Sequence, residues 1–174
     1  LTQVTGPGTV PHLVSVNNTG NKAVKLIVGD VLRAESSQDL VIAENKSVSA
    51  NSTDNVKAYG LEPGQRSIPG VKFKAGETSS SAIKEIIYSS NPNDLENATA
   101  AQIQIWILTS GIDFNIYTGE PVALVEQQKI SYTQLRQVVS YAKTSISSRF
   151  NLPHEEIKYL KKNGTYNSNI VDNF

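Results

Sequence analysis

The sequence contains no cysteine and no methionine among its 174 residues. Disulfide bonds and thiolate metal sites are therefore excluded, and stability has to come from a packed core. A chain of this length buries about 70% of the surface that its unfolded form exposes, which is enough for a core without cross-links. We expect a self-sufficient globular fold of ordinary size.

An excess of charge and long apolar runs are also missing. Sixteen Lys and Arg side chains balance sixteen Asp and Glu side chains. Because no basic stripe is available to neutralise phosphates, we expect no nucleic-acid partner. No apolar run approaches the roughly 18 residues of a membrane-spanning helix, so no membrane span is predicted. The first residues have neither the basic start nor the apolar stretch of a signal peptide, which predicts a mature form.

Motifs that carry catalysis or bind metals are sparse. The chain has two histidines, and it lacks the G-x-S-x-G elbow of serine hydrolases and the glycine loops that bind phosphate. His154 lies next to Glu155 and Glu156 without the H-E-x-x-H spacing of a zinc site. We therefore predict a protein that is not an enzyme and that uses no cofactor and no metal. A hydrolase is the alternative, and it would require an acid–base pair among scattered Asp and Glu residues.

The chain has more acceptor triplets for N-linked glycans, Asn-x-Ser/Thr, than chance would give. With 15 Asn and 31 Ser plus Thr, chance predicts roughly two or three such triplets. The predicted glycosylation sites are the five residues Asn17, Asn45, Asn51, Asn97 and Asn163. All five lie at predicted turns or at the ends of predicted elements, where a glycan can project into solvent. The pattern predicts a secreted protein of the cell surface that carries N-linked glycans.

The spacing of apolar residues predicts an α+β fold. In the N-terminal half, short β-branched segments recur at about ten-residue intervals between turn signals, which is typical of an antiparallel β-sandwich. In the C-terminal half, helical spacing predicts helices over 80–90, 98–110 and 131–150 that pack on this sandwich. Residues 121–130 (PVALVEQQKI) are predicted to return to the sheet. A last short helix is predicted from Pro153.

Residues 1–16 are predicted to form an extended N-terminal arm ahead of a single globular domain, 17–174. The first eleven residues are rich in glycine and proline, a composition that packs poorly on itself. The apolar side chains of the arm are Leu1, Val4, Val10, Val14 and Val16. Such an arm can add as a strand to the open sheet of a neighbouring copy, and head-to-tail contacts of this kind generate filaments. The alternative is a frayed terminus or an edge strand within the chain's own domain.

In outline and in its density of glycan acceptor sites, the chain resembles the donor-strand pilins of bacteria and the glycosylated thread filaments of archaeal cells. This resemblance implies a homopolymer whose partners are copies of the same chain and N-linked glycans. The expected function is that of a structural subunit of an extracellular, pilus-like filament. Each subunit would donate its N-terminal strand to the next one.

A second pattern lies on the predicted helix 98–110. The run AQIQIW (101–106) fits Φ-Q-x-x-Φ-W, where Φ is apolar, and it sets Gln102 and Trp106 on one helix face. Upstream, a predicted strand ends in AYGL (58–61) and a proline-containing loop follows. Together these features resemble the thioester domains of bacterial surface adhesins.

This second resemblance covers residues 22–110. In that family a cysteine after an aromatic residue on a strand bonds covalently to the glutamine of the helix motif. Here the cysteine position falls on Gly60, so no thioester can form. Gln102 is then implied to be a buried or capping amide, and Trp106 an anchor of the core. The implied function is a monomeric surface adhesin or binding module without its reactive cysteine, and an ordinary amphipathic helix with a core Trp is the structural alternative.

Overall fold

The structure, a computed structural model, describes residues 1–151. Within them eight strands precede four helices, an order that confirms the predicted α+β class. The strands are β1 (Thr2–Gln3), β2 (His12–Asn18), β3 (Val24–Leu26), β4 (Asp30–Arg33), β5 (Leu40–Ile42), β6 (Lys46–Val48), β7 (Ser52–Gly60) and β8 (Lys74–Thr78). The helices are α1 (Ser81–Tyr88), α2 (Leu95–Ser110), α3 (Glu120–Gln128) and α4 (Tyr132–Phe150).

Six strands form one antiparallel sheet in the order β1-β2-β7-β5-β4-β8. Strands β3 and β6 pair with each other as a separate two-stranded sheet. The longest ladder joins β2 to β7 and runs from His12 opposite Ala58 to Asn18 opposite Ser52. Strand β7 is therefore held on both sides, by β2 and by β5, and its last residue lies inside the domain.

Both faces of the large sheet are apolar. Consecutive residues of a strand contribute to two different cores, one on each face. In β4, Val31 joins a core shared with the helices, and Leu32 joins a core on the other face that includes Leu26 of β3. In β7, Tyr59 and Ala58 divide in the same way. Because side chains alternate along a strand, two covered faces produce the strands that are apolar on both sides.

The helices pack on one face of the sheet around α2. Ten of the sixteen residues of α2 are buried, as expected of a helix with neighbours on most sides. Helix α4 starts at a capping box, in which the Ser131 hydroxyl accepts from Gln134 N–H and the Gln134 side chain accepts from Ser131 N–H. The predicted helices over 80–90, 98–110 and 131–150 are confirmed as α1, α2 and α4. No helix within residues 1–151 is both long and apolar enough to cross a membrane.

The predicted return of residues 121–130 to the sheet is wrong, because helix α3 occupies this stretch. Pro121 lies in the first turn, where its missing N–H group has no helical partner to lose. Glu120 precedes it, and the macrodipole favours a carboxylate at a helix start. Ala123 and Leu124, three and four residues after Glu120, are buried on the same side of the helix. The helix predicted from Pro153 lies outside the described residues.

Residues 1–11 lie in the chain's own domain, where the sequence predicts a separate arm. Strand β1 pairs with β2, with Thr2 opposite Ser15. On its other side, Gln3 N–H donates to the Val71 carbonyl at 2.8 Å. The segment therefore forms the edge of the large sheet and closes it against the loop 61–73.

The apolar side chains of the predicted arm also pack into the domain. Val10, Val14 and Val16 are buried in the two cores, and Leu1 packs on the edge of the second core. Val4, 44% exposed, points outward. The boundary predicted between residues 16 and 17 falls inside β2, so that residues 1–16 and the rest of the described chain share their cores. The glycine and proline residues supply turns that bring the segment back onto the domain.

Gly8 is the point of closest approach between the N-terminal segment and α3. Its φ of +83° and the nearby backbone of Ala123 leave no space for a Cβ atom. We expect Gly8→Ala to lower the free energy of unfolding by about 2–4 kcal/mol, through backbone strain and overpacking. Gly6→Ala is the matched control, since nothing lies within 4 Å of a Cβ there. Urea denaturation measures both variants, and equal stability of the two would contradict a docked segment.

Candidate functional site

A buried polar cluster lies where the N-terminal segment, the sheet, the loop 61–73 and α3 meet. Its four central side chains are His12, Gln38, Ser67 and Glu120, which we call the Glu120 cluster. Each of the four is at most 1% exposed. Buried polar side chains require hydrogen-bond partners, and here they are largely one another's partners.

Glu120 is the centre of this cluster. Its Oε1 atom accepts a hydrogen bond from Gly8 N–H at 2.5 Å. Its Oε2 atom accepts from Ser67 Oγ at 2.8 Å, from Gln38 Nε2 at 2.6 Å and from Ser67 N–H at 3.2 Å. His12 Nε2 lies 3.4 Å from the same oxygen. Four donors around one carboxyl group match an ionised carboxylate, which only accepts hydrogen bonds.

The side chain of Gln38 is fully bonded at both ends. Its Oε1 atom accepts from the indole Nε1–H of Trp106 at 2.9 Å and from Glu62 N–H at 3.1 Å. Its Nε2 atom donates to Ser67 Oγ at 3.0 Å and to Glu120 Oε2. Both amide hydrogens and both lone pairs are thus used. The amide is held in one orientation between α2 and α3.

The contacts of His12 determine which ring nitrogen carries its proton. Thr5 Oγ1 lies 2.7 Å and Gln3 Nε2 lies 3.0 Å from Nδ1; the hydroxyl can donate, and the amide nitrogen only donates. Nδ1 is therefore the acceptor, so Nε2–H donates to Ser67 Oγ at 3.0 Å. The Ser67 hydroxyl in turn donates to Glu120. In serine hydrolases the acid bonds the imidazole nitrogen that faces away from the serine. Here Glu120 lies beside Nε2, the nitrogen that faces Ser67. The cluster is also buried, so external substrates cannot reach it.

The structure brings Gly60 and Gln102 together, the two positions that the thioester-domain resemblance pairs. Gly60 N–H donates to Gln102 Oε1 at 2.7 Å, and Gln102 Nε2 donates to the Gly60 carbonyl at 2.8 Å. The two residues are 42 positions apart in the chain, and both are buried. Gln102 is thus a buried amide that fastens α2 to the end of β7. Trp106, one turn later, is a core residue at 1% exposure.

Gln38 occupies the space that a side chain at position 60 would need. A Cβ atom built on Gly60 would overlap the side-chain amide of Gln38. Glycine is therefore required here by close packing, and the Glu120 cluster and the Gly60–Gln102 pair are adjacent. Tyr59, which precedes Gly60, shares a hydrogen bond with Ser90 Oγ at 3.0 Å. Burial raises the pKa of the Tyr59 phenol, and the Ser90 bond opposes part of that rise.

A second candidate site is an open cleft of about 420 Å³ between α4 and the loop 112–117. Tyr117 forms its exposed wall, and its ring packs against Tyr132 at a centroid distance of 4.9 Å with the ring planes tilted by 37°. Arg136 Nη1 donates to the Tyr117 hydroxyl at 3.0 Å. At the far end, Lys143 Nζ lies 3.8 Å from Asp113. The cleft thus combines a fixed aromatic ring with groups of both charges.

The predicted glycosylation sites that the structure describes are all exposed, namely Asn17, Asn45, Asn51 and Asn97. Asn97 lies in the first turn of α2, and Asp94 takes the N-cap position. Asn163 lies outside the described residues. Within residues 1–151 no group of three or more His, Asp or Glu side chains is arranged to hold a metal ion.

Comparisons with known proteins add no relative: no family model, curated protein or solved structure matches the chain. We therefore infer function from the contacts within the domain.

The sequence did not identify Gln38, Ser67 and Glu120 as a group, because these residues come from three distant segments. The one local signal was Glu120 directly before Pro121, a pair typical of a helix start.

The Gly60–Gln102 pair should contribute strongly to stability. Gln102→Leu would leave a buried N–H and a buried carbonyl without partners, at about 1–3 kcal/mol each, so we expect a loss of about 2–5 kcal/mol in the free energy of unfolding. Gln104→Leu is the matched control, because Gln104 is half-buried on the same helix and its Oε1 atom has no partner. Chemical denaturation compares the two variants. A Gln102→Leu chain no less stable than Gln104→Leu would contradict the contact.

Proposed function

We propose that this chain is an extracellular attachment module that shares the internal plan of a thioester domain and lacks the reactive bond. The observation that carries the proposal is the double hydrogen bond between Gly60 and Gln102. The short sequence motifs pair these two positions, and the two residues lie side by side. An ordinary amphipathic helix would not require this contact. The hydrogen bonds join the same helix and strand without a covalent link.

The extracellular part of the proposal is supported by the acceptor sites for glycans. Asn17, Asn45, Asn51 and Asn97 are exposed, and exposure is necessary for a hydrated glycan. Asn17 lies on β2, Asn45 directly precedes β6, Asn51 directly precedes β7, and Asn97 lies in the first turn of α2.

The cleft beside Tyr117 is the surface that suits a ligand best. Tyr117 is 55% exposed, and its ring is fixed by Tyr132 and Arg136, so it offers a preformed platform for the apolar face of a sugar ring. Among residues 1–151, Arg136 bonds only to the hydroxyl groups of Tyr117 and Thr133, whereas Lys143 is already paired with Asp113. An arginine without a carboxylate partner among these residues favours an acidic ligand, because its guanidinium matches a carboxylate in shape and charge. The ligand we propose is an acidic glycan with uronic acid residues.

Binding to immobilised polysaccharides tests this function. We expect the full chain to bind a uronate-containing polysaccharide and not a neutral one, and Tyr117→Ala to weaken binding at least about tenfold, or 1.4 kcal/mol. Tyr141→Ala is the control, since Tyr141 is 79% exposed on α4 and does not line the cleft. Equal binding of acidic and neutral polysaccharides, no binding to either, or an equal loss in both variants would contradict the proposal.

The second candidate function is the structural subunit of a pilus-like filament. It is favoured by the way residues 1–18 attach to the rest of the domain, through the β2–β7 ladder, the Gln3–Val71 hydrogen bond and buried side chains, contacts that a neighbouring copy can provide equally well. The connection 19–23 to β3 is exposed, so an exchange between copies requires only that it extend. Negative-stain imaging separates the two functions, because filaments support the subunit and isolated particles support the attachment module.

A further inference from the structure

The Glu120 cluster brings a hydroxyl nucleophile next to a carboxamide. Ser67 Oγ lies 3.0 Å from Nε2 of Gln38, and the carboxamide carbon Cδ is bonded directly to that nitrogen. Both side chains are at most 1% exposed, so water does not compete for the amide. The hydrogen bond holds Oγ at the edge of the carboxamide plane, so Ser67 has to break this bond and rotate to bring Oγ over Cδ. Because both groups are already held together, the reaction avoids the entropic cost of a bimolecular encounter.

The carbonyl oxygen of the same carboxamide receives two N–H groups. Trp106 Nε1–H lies at 2.9 Å and Glu62 N–H at 3.1 Å from Gln38 Oε1. Two preorganised donors on one carbonyl oxygen form an oxyanion hole, which stabilises the negative charge that develops when a nucleophile adds to the carbon.

Glu120 contacts both atoms between which a proton has to move. Its Oε2 atom lies 2.8 Å from Ser67 Oγ and 2.6 Å from Gln38 Nε2. One carboxylate oxygen can therefore take the proton from the attacking hydroxyl and return it to the departing nitrogen. His12 positions the serine, because its Nε2–H donates to Ser67 Oγ.

We propose that Ser67 and Gln38 join in an intramolecular ester. Ser67 Oγ attacks Cδ of Gln38 while its proton passes to Glu120 Oε2, and the negative charge forms on Oε1 between Trp106 and Glu62. The Cδ–Nε2 bond then breaks, and the nitrogen leaves as ammonia with the proton from Glu120. The products are one ester bond and one ammonia molecule, Glu120 is regenerated, and no oxidant, reductant or other reactant is consumed.

The ester would close a covalent loop around three strands. Residues 38 and 67 are 29 positions apart, and β5, β6 and β7 lie between them. A cross-link over that span restricts the unfolded chain in the way that a disulfide does, here in a chain that contains no cysteine. The exclusion of water that permits the exchange also protects the ester from hydrolysis. The ester does not depend on the attachment function, and a separate experiment tests it.

Mass spectrometry of the full chain, produced in a host without N-glycosylation, tests the proposal. We expect an intact mass below the sequence mass by one ammonia, about 17 Da. Trypsin cuts after Arg33, Lys46, Arg66 and Lys72, so Gln38 and Ser67 fall on the peptides 34–46 and 67–72. These two peptides should appear joined and should separate in mild alkali. A folded chain that yields them as separate peptides would overturn the proposal.

Three variants, each checked for folding by circular dichroism, assign the chemistry. Ser67→Ala should restore the full sequence mass, and Glu120→Gln should slow the joining at least about a hundredfold. Ser37→Ala is the matched control, because this buried serine lies next to Gln38 and, within residues 1–151, only accepts a hydrogen bond from Ile68 N–H, so the joined peptide should persist. A loss of ammonia that survives in Ser67→Ala, such as a succinimide at Asn163 before Gly164, would also overturn the ester.

Discussion

The buried carboxylate of Glu120 is the constraint on which the arrangement of the domain depends. An ionised group removed from water is costly unless donors surround it, and its donors here come from Gly8, Gln38 and Ser67, with His12 alongside. These residues belong to separate segments, so the N-terminal segment, two loops and α3 have to reach the same point together. A closed cluster of this kind specifies one arrangement, because each alternative leaves a buried polar group without a partner.

The sequence predicted the elements whose signals are local. Helix α4 followed from its apolar stripe, and the strands followed from β-branched runs between turns. Helix α3 was missed because PVALV is short enough to fit a strand or a helix, and its start depends on Glu120 and Pro121. The docking of residues 1–11 on the domain was missed because glycine and proline predict turns. They do not indicate which surface the chain packs against after the turn. The Glu120 cluster could not be predicted, since residues 12, 38, 67 and 120 form no local pattern.

Two glutamine side chains connect this interior to the proposed functions. Gln102 fastens α2 to Gly60 at the end of β7, and Gln38 fills the space beside Gly60 where another chain would carry a side chain. The first contact supports the proposed resemblance to adhesive thioester domains. The second contact holds a carboxamide between two N–H donors and a serine, the arrangement on which the proposed ester depends.

Native-state hydrogen exchange at Gly8, Gly60 and Ser67 tests most directly whether Glu120 locks the domain together. All three amides donate to buried side chains, two of them to Glu120 itself. We predict that they exchange with one common free energy, equal to that of global unfolding. Exchange of Gly8 through a low-energy local opening, while Gly60 remains protected, would contradict the account and make residues 1–11 a separable arm.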